Sequence, residues 1–195
     1  MNKLIFILFG IMCIAQWVVP GMMMYNSETV IAEGREFKFK TEPIDPSDPF
    51  RGKYITLAFE ADYILMEDSV TFRPGQKIFV TFEEDSDGYA KPVGISEFEP
   101  VEEEYYLQTT VDYVSNFRSN HRVQFELPFD RFYLEESKAK RAEDIYREAQ
   151  RDTANIAYAV VSLGSGQAVI KDVVINGQPI LQLLNETDEV ELYKE

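Results

Sequence analysis

From residue 35 onward the chain alternates. In Arg35-Glu36-Phe37-Lys38-Phe39-Lys40-Thr41, Phe37 and Phe39 fall on one face and Glu36, Lys38 and Lys40 on the other, the period-2 signature of a half-buried strand. The same pattern predicts a strand over 53–63, with Ile55, Leu57, Phe59, Ala61 and Tyr63 sharing a side and Thr56, Glu60 and Asp62 opposite. In 77–83 most positions of both faces are apolar, which predicts a more central strand. Glu84-Asp85-Ser86-Asp87-Gly88 closes it with an Asp-Gly turn. Further strands are expected at 94–98, 105–113 and 121–127, the last with Val123, Phe125 and Leu127 on one side.

The period then changes. Over 135–152, Ala139, Ala142, Ile145, Tyr146 and Ala149 recur at three- and four-residue steps, which predicts a surface helix with a narrow apolar stripe. Strands return at 156–163, 167–175 and 178–183, separated by Gly164-Ser165-Gly166 and by Asn176-Gly177, the pattern of a three-stranded meander with an Asn-Gly hairpin. Evenly spaced strands with one helix predict a mainly β fold, an antiparallel barrel or sandwich carrying one surface helix.

The first residues follow neither period. Residues 4–24 hold no charge over 21 positions, which as a helix extends about 31 Å and spans a hydrocarbon core of about 30 Å. The run is longer than the apolar stretch of a signal peptide and ends in Val18-Val19-Pro20-Gly21-Met22-Met23-Met24 without an A-x-A-like site, which favours a retained transmembrane helix over a cleaved one. Met12 before Cys13 does not fit a lipoprotein signal. The expected organisation is an N-terminal membrane anchor at 1–24, a linker at 25–34, a mainly β extracytoplasmic domain at 35–184 and an acidic tail at 185–195. Lys3 before the span, with Glu28 and Glu33 after it, places the amino terminus inside and the domain outside.

Charge and cysteine narrow the class. The formal net charge is −15, and Lys3 is the only charge in the first 24 residues, so the outer part is more acidic than the total. Such a surface repels phosphate backbones and argues against nucleic acid as a partner. Cys13 is the only cysteine, so no disulfide framework supports the domain and its core must do so.

Candidate chemistry is sparse. His121 is the only histidine and stands at a strand end beside Ser119-Asn120, away from any acid-and-nucleophile pattern. Asp85 and Asp87 lack the third acid and the position-12 glutamate of a calcium loop. No residue pattern asks for a metal or cofactor. An envelope hydrolase is the alternative class: Ser47 with a lysine such as Lys53, Lys77 or Lys91, or a carboxylate pair such as Glu83 with Glu84 or Glu135 with Glu136. Neighbouring strand residues point to opposite faces, so Glu83 and Glu84 do not share a site without a bulge.

Gly52-Lys53-Tyr54-Ile55-Thr56-Leu57-Ala58-Phe59 resembles the signature of the GDYXXLXY family, membrane-anchored bacterial proteins named for that string. Gly52, Tyr54 and Leu57 match, Lys53 replaces the aspartate and Phe59 the final tyrosine. Asp48 to Arg51 is similar to the family's approach to the motif, as are Arg131-Phe132-Tyr133-Leu134-Glu135 and Ala168 to Val173 ahead of Asn176-Gly177. The resemblance implies a single-pass protein of the bacterial cytoplasmic membrane, a non-enzymatic interaction or accessory module whose partner is a polytopic membrane protein. It implies no particular reaction. By parity Tyr54 falls on the face opposite Leu57 and Phe59, which leaves Arg51, Gly52 and Tyr54 as the candidate binding residues and the two apolar positions as core.

Overall fold

The computed structural model describes residues 2–43, 54–66, 71–101, 105–117, 120–152 and 155–185. Its order is α1 (Asn2–Glu33), β1 (Arg35–Glu42), β2 (Tyr54–Thr56), β3 (Ala58–Phe59), β4 (Tyr63–Met66), β5 (Lys77–Glu84), β6 (Ala90–Ser96), β7 (Tyr106–Phe117), β8 (Asn120–Phe125), β9 (Arg131–Tyr133), α2 (Glu136–Arg151), β10 (Ala157–Gly164), β11 (Gln167–Ile175) and β12 (Gln178–Pro179). A short helical stretch, 180–185, follows. The sheets are antiparallel throughout: one of five strands in the order β12-β11-β10-β1-β3, another in the order β4-β8-β7-β5-β6, and the ribbon β2-β9. Together they form a nearly closed, barrel-like wall. Gly166, in the turn after β10, bridges to Leu107 of β7 and joins the two large sheets.

The core is aromatic. Phe39 of β1 has no solvent exposure, and its ring meets Phe59, Phe82 and Phe129 at 5.9, 5.2 and 5.0 Å in edge-on contacts, the geometry that the ring quadrupole favours. Phe82 also reaches Phe125. β5 lies between β6 and β7, and its Ile78, Phe79 and Val80 are consecutive buried residues, as the two-faced apolar pattern requires. α2 buries Ala139, Ala142 and Tyr146, and the two small alanines let it lie close to the sheet.

Several elements differ from the sequence expectation, β9 among them as a strand not expected at all. The strand expected over 53–63 is broken into β2, β3 and β4, which pair with β9, β1 and β8 in turn. Alternation survives, since Ile55, Leu57, Phe59 and Ala61 are all buried, but the ladder changes partner twice along the run. β6 starts at Ala90, earlier than expected, because Pro92 sits on an edge strand where no backbone donor is needed. β12 ends at Pro179 and the chain turns helical. Ile180 and Leu184, four residues apart, are buried there, a helical spacing.

A further difference sets how the N-terminal apolar helix meets the domain. Residues 25–33, expected as linker, continue α1 without a break, and Val30 is buried against the sheet. The Val30 carbonyl accepts hydrogen bonds from Gly34 N at 3.0 Å and from the fully buried Ser162 hydroxyl at 2.6 Å. Gly34 allows this approach: a Cβ there would lie 2.5 Å from Ser162 Oγ and 2.7 Å from the Leu163 carbonyl. Residues 3–33 are long and apolar enough to cross a membrane.

Candidate functional site

The candidate surface is built on the β2-β9 ribbon. Its register pairs Tyr54 with Tyr133, Ile55 with Phe132 and Thr56 with Arg131. Ile55 and Phe132 turn inward and are buried, so the neighbours on each strand turn outward. The Tyr54 and Tyr133 rings stand 5.4 Å apart at 58°. Diagonally across the ribbon the Arg131 guanidinium lies 5.1 Å over the Tyr54 ring, within reach of a cation–π attraction. Contact with Tyr133 raises the Arg131 pKa, and the nearby Asp130 and Tyr54 add to it. Arg131 stays charged at any working pH. Tyr133 is 64% exposed.

The ribbon is fixed from below. Leu57, one residue past β2, donates its N–H to the Asp130 carbonyl at 2.8 Å and is 3% exposed. α2 follows β9 directly, with Glu135 as N-cap and its carbonyl accepting from Lys138 N and Ala139 N at 2.9 Å. On the buried side of α2, the Tyr146 hydroxyl accepts from Gln150 Nε2 at 2.6 Å, and Gln150 also donates to the Glu42 carbonyl. Burial pushes the Tyr146 phenol up to about 12, a rise tempered by Thr41 and Gln150.

The expected site residues divide. Tyr54 has the outward orientation that parity requires, whereas Arg51 and Gly52 lie outside the described residues, together with Ser47 and Lys53. Of the other lysines, Lys77 stands 5.5 Å over the Phe79 ring and Lys91 borders a cleft of about 560 Å³ between β4 and β6. That cleft also holds the exposed Lys40–Glu60 ion pair at 2.7 Å, whose hydrogen bond raises the Lys40 pKa. Glu83 and Glu84 both end β5 exposed, and Glu84 pairs with Arg35 at 3.3 Å. One Asp85 carboxylate oxygen accepts from Asp87 N at 2.9 Å and from Tyr89 N at 2.8 Å, so it builds the turn that Gly88 completes with φ +81°. Among the described residues no three His, Cys, Asp or Glu side chains are grouped to hold a metal ion.

The family model described as GDYXXLXY protein matches residues 16–173. The chain belongs to the GDYXXLXY family. The N-terminal apolar helix fits a membrane-anchored member of it. Comparison with curated proteins and with solved structures finds no match. In this GDYXXLXY protein the described part of the signature and the segment 131–133, far apart in sequence, are the two strands of one ribbon. Sequence reasoning singled out both stretches and missed their pairing. The only local signal was Arg131-Phe132-Tyr133, a period-2 triplet too short to read as a strand ahead of a helix.

Proposed function

We propose that this GDYXXLXY protein is a non-enzymatic interaction or accessory module, held by residues 1–24 in the bacterial cytoplasmic membrane with the domain 35–184 outside, and that it serves a polytopic membrane protein. The observation that carries the reading is the outer face of the β2-β9 ribbon. There the half-buried Tyr54 and the exposed Tyr133 and Arg131 form one cluster on a backbone locked to the core by Ile55, Leu57 and Phe132. Tyrosine and arginine on a rigid support are the side chains that concentrate binding energy at protein interfaces, because they supply large contact area and fixed donors at low entropic cost. Arg51 and Gly52, from the family motif, are proposed as further binding residues. The continuous α1, hydrogen-bonded to β10 through Ser162, supports the reading further. It gives the surface a set height and direction relative to the membrane, and a partner embedded in that membrane can exploit both.

The test is photo-cross-linking in native membranes. A photoreactive residue at position 133 of the full chain should capture one polytopic membrane protein, and the pair should co-purify in mild detergent. Arg131→Ala combined with Tyr54→Ala should abolish capture while the circular dichroism of the domain is unchanged. Capture of nothing above background, or capture indifferent to the two substitutions, refutes the proposal.

A further inference from the structure

The apolar helix carries a second feature, independent of the ribbon. Between residues 4 and 24 of α1 the one carboxamide is Gln16, and besides the Trp17 indole and the Cys13 thiol every other side chain is apolar. Position 14 is the middle of that run, so at about 1.5 Å per residue Gln16 stands about 3 Å from the bilayer midplane when the run spans the hydrocarbon. Gln16 is exposed, and no residue of the most apolar stretch of α1 is buried by the rest of the chain. Among the described residues its carboxamide has no hydrogen-bond partner.

Pro20 opens a second group at the same place. It lies inside α1, and proline has no N–H to give the carbonyl four residues earlier, that of Gln16. Four residues carry the helix about 40° past a full turn, so Gln16 and Pro20 share one side of it. Water satisfies such groups on a soluble helix. Hydrocarbon cannot, and an amide and a carbonyl left unpaired there are costly. A neighbouring helix that brings polar hydrogens to that depth satisfies both.

Charge selects which helix that is. The total charge is −15 and Lys3 is the only charge before residue 25, so the rest of the chain carries −16. α1 runs unbroken into the domain and is hydrogen-bonded to it through Ser162. Two parallel copies of α1 in contact would hold two such acidic domains side by side, which like-charge repulsion opposes. A helix of another membrane protein brings no second copy of that charge.

We infer that the Gln16 side of α1 docks against a transmembrane helix of a different membrane protein, and that this helix presents a hydroxyl or carboxamide side chain to the Gln16 carboxamide and carbonyl. The contact presupposes the anchoring proposed above and lies on a different surface from the ribbon, so each is read separately.

The full chain in native membranes carries a photoreactive residue at position 12, one turn before Gln16 on the same side, or at position 14, on the opposite side. Alkaline extraction reads anchoring, and the position-133 adduct reads the ribbon. Position 12 should give one adduct with a protein other than a second copy. Sequenced by mass spectrometry, the captured peptide should be a transmembrane segment with Ser, Thr, Asn or Gln within a turn of the cross-link, and position 14 should not capture it. Gln16→Leu should lower the position-12 yield about three- to tenfold, the scale of one hydrogen bond between helices. Pro20→Ala, which restores the missing N–H, should lower it too, and leucine in place of the partner's polar residue should match Gln16→Leu. An adduct with a second copy or with phospholipid alone, a yield indifferent to Gln16→Leu, or a captured segment without such a polar residue overturns the inference even when the chain is anchored and position 133 captures its partner. Release by alkali refutes the anchoring and this contact with it.

Discussion

Leu57→Ala is the substitution that tests the meaning of the family motif most directly. Leu57 is 3% exposed and lies between β2 and β3, where the ladder passes from one partner strand to another. Alanine removes three buried carbons, worth about 2.4 kcal/mol at about 0.8 kcal/mol each, and adds a cavity term that brings such changes to about 2–5 kcal/mol. The upper half of that range is expected. The flanking residues are tied to different strands and Leu57 N is held by the Asp130 carbonyl, so the backbone cannot close over the gap. A loss of about 4 kcal/mol should lower the melting temperature by about 8–16 °C for a domain of this size. The assay is urea unfolding of the full chain in detergent, followed by the sheet signal in circular dichroism. Tyr54→Ala is the internal control: it removes one ring pair and one cation–π contact at the surface of the ribbon, at about 1–2 kcal/mol together. A Leu57→Ala change under about 0.5 kcal/mol, typical of surface positions, or one smaller than that of Tyr54→Ala, would refute the assignment of Leu57 to the core.

Three further outcomes are expected. The buried Tyr146 ionises at about 12 in the folded protein against an ordinary 10.0, so its contribution is intact below pH 10 and is lost as pH rises from 10 to 12, by about 2–3 kcal/mol; Tyr146→Phe should flatten that part of the stability–pH curve measured by urea midpoints. Gly34→Ala forces a Cβ against the Val30 and Leu163 carbonyls, which should cost about 1–3 kcal/mol as overpacking does and loosen the contact of α1 with the sheet; spin labels at 25 and 167, with Cys13 replaced by serine, should report a broadened distance distribution. Gly177, at φ +82° beside Asn176 at φ 51°, forms the hairpin between β11 and β12, and Gly177→Ala should cost about 1–2 kcal/mol in the same unfolding assay.

Much of the wall was legible because its signals are local. Phe37 and Phe39, Val123 and Phe125 announce their burial by period 2, Ile78 to Val80 by an unbroken apolar run, and Ala139, Ala142 and Tyr146 by period 3.6. Each pattern needs only the residues that bear it. The Asn176-Gly177 turn was legible for the same reason, since left-handed backbone at both positions calls for those residue types. Residues 25–33 were harder: their polar composition suggested a linker, but a helix already running from the span continues at little cost, and burial of Val30 against the sheet makes the continuation stable. The stretch 178–183 was misjudged because its apolar residues fit a strand as well as a helix, and Pro179 decided between them by ending the ladder.

The sequence by itself determined the long apolar N-terminal segment, the mainly β class, the faces of the strands and the family, since hydrophobic period and motif are properties of the chain. It also placed Tyr54 on the face away from Leu57, which follows from strand geometry alone. Tertiary structure decided partners. That β2, β3 and β4 ladder with three different strands, that Tyr54 meets Tyr133 and Arg131, and that α1 is hydrogen-bonded to Ser162 are pairings between distant segments. Backbone hydrogen bonds are the same for every residue type, so alternation fixes which side is buried without naming the neighbouring strand, and only closure of the wall around one aromatic core selects it.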